Sequence, residues 1–106
     1  MFDLKQIKKD LERIYNVEFT EGKYLDMDNL HYHTGKCDLN IHISHYNTYD
    51  SRNGMEFIGV DFWNRKNMSG KSGPNDDMEE LIHFLDSIKL PRRTTPKEDY
   101  EQISLF

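Results

Sequence analysis

A single cysteine, Cys37, leaves this chain of 106 residues without any intramolecular disulfide. Nor does it open on an apolar signal segment, since the first residues are Met1-Phe2-Asp3-Leu4-Lys5. Together these features make a reducing cytoplasm the expected setting. No apolar run approaches the roughly 20 residues of a membrane-spanning helix, so no membrane association is expected. Positive charge is also short: 14 Lys and Arg stand against 19 Asp and Glu, a net charge of −5. An acidic domain repels phosphate backbones and no basic stripe relieves that repulsion, so direct DNA binding is not expected. The hydrophobic fraction, 36%, is low, yet 6 Tyr, 6 Phe and 1 Trp supply large side chains for a core.

What remains suffices for one domain with a modest core. Leu4, Ile7, Leu11 and Ile14 recur at steps of three and four, which predicts a helix over residues 3–15 capped by Asp3. Residues 17–20 read as a short extended stretch before a turn at Glu21-Gly22, and residues 24–30 are ambiguous. Residues 30–34 and 37–45 then alternate around Gly35-Lys36, the sequence of a tight hairpin turn. A two-residue turn there sets Tyr32 opposite Leu39 and Leu30 opposite Ile41. It gathers the apolar residues on one face and His31, His33, Asn40 and His42 on the other.

Asn53-Gly54 is the dipeptide of a type I′ turn, which would set Tyr49 opposite Ile58, Asn47 opposite Val60 and His45 opposite Phe62. The polar run at 47–52 is equally compatible with a longer loop. Residues 64–75 read as a loop, because Ser69-Gly70-Lys71-Ser72-Gly73-Pro74 is dense in turn formers. A second helix follows. Asp76 and Glu79 form its capping pair, Met78, Leu81, Ile82, Leu85 and Ile88 its apolar stripe, and Pro91 its end. The expected fold is α+β over residues 1–90: a small antiparallel sheet of about three strands with two amphipathic helices packed on one face. Residues 91–106 are expected to be a flexible C-terminal tail. Within them Arg92, Arg93 and Lys97 offset Glu98, Asp99 and Glu101, so the whole −5 falls on residues 1–90.

Few constellations suggest chemistry. His31, His33 and His42 are ligand types for zinc and related metals and share the polar strand face. Neither Cys-x-x-Cys nor His-Glu-x-x-His accompanies them, so they are weak metal candidates and no cofactor is expected. Cys37 and His45 fall on the apolar face, which argues against a catalytic thiol, and the chain is expected not to be an enzyme. Gly70-Lys71-Ser72 echoes a phosphate-binding loop, but Arg65 stands where that motif needs its first glycine. Asp26, Asp28, Asp76, Asp77, Glu79 and Glu80 offer an acidic surface of the kind that mimics DNA phosphates.

The end of the chain differs from the polar stretch before it. Residues 102–106, Gln102-Ile103-Ser104-Leu105-Phe106, place a Leu-Phe pair after Pro91-to-Glu101, a run with no apolar stripe of its own. The pentapeptide resembles the bacterial sliding-clamp-binding motif: Gln, an aliphatic residue, Ser or Asp, then Leu-Phe. The resemblance implies that Leu105 and Phe106 fill an apolar pocket on the ring-shaped clamp, that Gln102 anchors through its amide, and that Ile103 and Ser104 set an extended spacing. By this reading the protein is a non-catalytic interaction partner that brings its domain, with a second protein partner of its own, to DNA replication or repair. Two alternatives stand beside it. One is an acidic, DNA-mimic inhibitor of a DNA-acting enzyme, of the phage or mobile-element type. The other is a small metal-binding protein built on the histidine face.

Overall fold

The computed structural model describes residues 1–24 and 26–94; Leu25 and residues 95–106, which include the clamp-like peptide at 102–106, lie outside the described residues. Helix α1 (Leu4–Ile14) leads into five strands, β1 (Thr20–Tyr24), β2 (Met27–His33), β3 (Cys37–His45), β4 (Glu56–Asn64) and β5 (Ser69–Asn75), and helix α2 (Met78–Ser87) follows. The strands form one antiparallel meander in sequence order. The expected sheet of about three strands is therefore corrected to five, within an α+β fold.

Both additional strands lie at the edges of the sheet. β5 carries Gly70, Gly73 and Pro74, and most of it is exposed, so it has neither the alternation nor the composition that marks a strand in sequence. Proline is tolerated there because an edge strand has one side free of ladder bonds. β1 contains Gly22 and turns back through Asp26, whose φ is 65°.

The first hairpin has the register that its pattern predicts, with Tyr32 opposite Leu39 and Leu30 opposite Ile41. Its turn is closed by Thr34 N donating to Cys37 O at 2.9 Å. The next connection differs from the tight Asn53-Gly54 turn. Ile43 pairs with Ile58, Ile41 with Val60 and Leu39 with Phe62, leaving residues 46–55 as a loop. Asn53 serves that loop otherwise: its side-chain oxygen accepts from Thr48 N, while Gly54 takes the positive φ of 83°. The displacement is an even number of residues, so every side chain keeps the face that its alternation assigns.

One face of the sheet, made by Leu30, Leu39, Ile41, Ile58 and Val60, shares a single buried cluster with Ile7 and Leu11 of α1 and Leu81 and Leu85 of α2. The two stripes cover that face, and each fully buried Leu or Ile contributes about 1.5–3 kcal/mol. Asp3 caps α1 by accepting from Lys5 N at 3.0 Å. On α2 the cap is Asp77, one residue later than the sequence pattern suggests. Its carboxylate accepts from Glu80 N, and the Glu80 carboxylate accepts from Asp76 N at 2.8 Å.

A buried carboxylate orders the exit from α1. Glu12 is 6% exposed, and its Oε2 accepts from Phe19 N at 2.7 Å while Lys8 pairs with it at 3.3 Å. Glu12→Ala removes that acceptor from a buried N–H and is expected to cost about 1.5–3 kcal/mol. The check is a lowered urea midpoint with an unchanged denaturant slope.

Residues 91–93 form a strap across the end of α1. Asn16 N donates to Pro91 O at 2.8 Å and Arg93 N to Ile14 O at 2.9 Å. Tyr15, fully buried at the head of this contact, donates to Asp86 Oδ1 (2.9 Å) and lies near Ile82 O (3.1 Å). Arg92 stands over the Tyr15 ring and pairs with Asp86 at 2.7 Å. The Arg92 guanidinium, and after it the Tyr15 hydroxyl, hold the Asp86 carboxyl below its ordinary range. A lowered folded-state value means that Asp86 stabilises the fold above the unfolded value of about 3.9, and that the contribution is lost as pH falls through the folded value. Asp86→Asn is thus expected to narrow its stability deficit against the parent as pH falls below about 4. Paired urea titrations at pH 7 and pH 3 measure this.

Candidate functional site

The face of the sheet away from the helices is polar, and its alternation brings ionisable groups together. His31 and His33 are two residues apart on β2, so they share a face, with ring centroids 5.8 Å apart. Asp38 on β3 is the direct partner of His33 across the hairpin. Its Oδ1 contacts His33 Nδ1 and lies 3.8 Å from His31 Nε2. One donor atom from each of the three residues lies within 4.8 Å of the others.

Arg65, in the turn after β4, closes over this group. Its backbone N donates to Lys36 O at 2.8 Å. Its guanidinium donates through Nη1 to the carbonyl oxygens of Thr34 and Cys37, the latter at 3.2 Å, and through Nη2 to Asp38 Oδ2. Nη2 also stands 3.1 Å from His33 Nδ1. The two carboxylate oxygens of Asp38 therefore have separate duties: Oδ2 meets Arg65, and Oδ1 faces the imidazoles. The His33 ring, and then Arg65, hold the Asp38 carboxyl below its ordinary range.

Of the three histidines singled out in the sequence, the structure unites His31 and His33 and sets His42 apart. His42 pairs with Asn29 and Gly59 and lies over the glycine, where an added Cβ would stand 2.5 Å from His42 Nε2. Asp38 takes the place expected of His42. Its signal is present in the hairpin register, which puts residue 38 opposite residue 33, although a carboxylate is a less distinctive metal ligand than His or Cys. Arg65 had no such signal, because the turn that carries it depends on the unforeseen strand β5. Cys37 is a half-buried thiol. His45 is 3.9 Å from Glu56.

Gly70-Lys71-Ser72 belongs to an extended strand, and Lys71 donates to Ser87 Oγ at 2.6 Å and stands over the Phe84 ring. Beside the histidine group an open groove of about 330 Å³ is lined by Asp38, Asn40, Asp61, Trp63, Gly70 and Ser72. Trp63 lies against Gly70, where an added Cβ would stand 3.0 Å from the indole. The acidic residues divide between opposite edges of the sheet: Asp26 and Asp28 at the β1–β2 end, and Asp76, Asp77, Glu79 and Glu80 after β5. Asp77 and Glu80 are engaged in capping α2, and Asp76 accepts from the Tyr46 hydroxyl. These groups form two clusters rather than one phosphate-like stripe.

Among the described residues no helix is long and apolar enough to cross a membrane. The chain matches no protein-family model, no curated protein and no solved structure.

Proposed function

We propose that this protein docks on the bacterial sliding clamp through Gln102, Ile103, Ser104, Leu105 and Phe106, and so brings its folded domain to DNA replication or repair in the cytoplasm. The observation that carries this reading is the pentapeptide itself, in which every position satisfies the clamp-binding pattern. Chance alone produces Gln-x-x-Leu-Phe about once in a few thousand positions, and the defined middle residues make it rarer. Two features of the domain are compatible with that role. Among the described residues its buried apolar cluster already joins both helices and the sheet, from Ile7 to Leu90. The strap that follows is fixed to α1 through Arg93, so the peptide connects to the domain through residues 94–101, at most about 26–29 Å when extended.

That length keeps the domain beside the clamp ring and allows a second contact made by the domain itself. A pentapeptide alone binds weakly, on the order of micromolar, and two such peptides on one ring, or one peptide plus a domain contact, raise the affinity. Deleting residues 102–106 tests the proposal. Retention on immobilised bacterial sliding clamp is expected to disappear while thermal unfolding of the domain stays unchanged. Retention that survives the deletion would refute it.

A further inference from the structure

We propose that His31, His33 and Asp38 form a binding site for a divalent first-row transition ion of the zinc class, a property separate from clamp docking. Two imidazole nitrogens and one carboxylate oxygen suit zinc, cobalt or ferrous iron and are a poor set for calcium or magnesium, which prefer all-oxygen shells. The backbone already places these donors: strand alternation puts both histidines on one face, and the hairpin pairing puts Asp38 against His33.

Arg65 supplies what metal sites commonly need around a carboxylate ligand. It holds Oδ2 of Asp38 and leaves Oδ1 turned toward the two rings. Arg65 is itself fixed by two carbonyl oxygens of the β2–β3 turn, so the side chain that orients the carboxylate is anchored to backbone. On binding, His33 Nδ1 releases to solvent the proton it shares with Asp38 Oδ1 and presents its lone pair to the ion, while Arg65 keeps its bond to Oδ2. Three protein donors leave at least one coordination position open. The groove bordered by Asp38, Asn40 and Trp63 adjoins the site, so the open position is reachable from solvent.

The test uses the full-length protein, stripped of metal with a chelator, and titrated with Co²⁺ alone while visible absorption is followed. One equivalent of Co²⁺ is expected to develop d–d bands, and Zn²⁺ is expected to displace it. His31→Ala, His33→Ala and Asp38→Asn should each lose the signal, whereas His42→Ala, on the same face but outside the group, should retain it. All four positions are at least partly exposed, so the variants are expected to fold, and far-ultraviolet circular dichroism checks this. Nuclear magnetic resonance of the imidazole protons gives a second readout, in which Co²⁺ is expected to shift His31 and His33 and leave His83 in place. Absence of stoichiometric binding by the parent protein, or equal loss in His42→Ala, would overturn the proposal and leave the group as an Arg65–Asp38 ion pair that fastens the hairpin.

Discussion

Tyr15→Ala is expected to destabilise the domain by about 3–5 kcal/mol, and Tyr15→Phe by only about 1–2 kcal/mol. The first change removes a fully buried aromatic ring from the junction of α1, α2 and the strap. The second keeps the ring and removes only the hydroxyl that reaches Asp86 and Ile82. A single domain is stable by roughly 5–15 kcal/mol in all, so the alanine variant should have a large unfolded fraction under mild urea. The phenol adds a pH signature. Burial, and then the Asp86 carboxylate, push its ionisation well above the ordinary tyrosine range. A raised folded-state value means that the contribution is complete below the unfolded value of about 10 and is lost as pH rises beyond it. Tyr15→Phe should lose less stability between pH 9 and pH 11 than the parent does. Equal destabilisation by Ala and Phe would show that the hydroxyl, and not the ring, holds the junction.

The elements legible in the sequence are those whose burial imposes a period. α1 and α2 announce themselves by apolar residues at helical spacing, and β2 and β3 by strict alternation around Gly35-Lys36. That alternation also assigned His31 and His33 to one face. The failures share a cause. β5 is held by its ladder to β4 and exposes most of its side chains, so its sequence of Ser, Gly, Lys and Pro records no buried face. Of the two connections open between β3 and β4, the structure takes the longer loop: Asn53-Gly54 has a strong local turn preference, but the pairing of Ile41 and Ile43 with Val60 and Ile58 decides the outcome. Asp38 was legible in the hairpin register, opposite His33, but Arg65 was not, for the same reason as β5. Arg65 reaches Asp38 only because β4 turns into β5, a contact that no local pattern in residues 64–75 reports.

The second large effect concerns the proposed clamp peptide. Changing Leu105 and Phe106 together to Ala removes two apolar anchors, each worth about 1.5–3 kcal/mol when buried. Binding should weaken by on the order of 10²–10⁴-fold, which carries a micromolar interaction beyond ordinary detection. An unfolding temperature equal to the parent's is the control that separates lost docking from a damaged fold. Gln102→Ala should weaken binding less, by about tenfold, because it removes one polar anchor of a pocket still filled by the apolar pair. If the domain makes its own contact with the ring, the double variant will retain a residual affinity that the isolated domain, residues 1–94, shares.

The most direct test of clamp docking is an isothermal titration of bacterial sliding clamp with the intact protein and with the Leu105→Ala, Phe106→Ala variant, at one salt concentration. Saturable binding by the intact protein, and none measurable by the variant, is the expected result. Failure of the intact protein to bind, or equal binding by both, would contradict it.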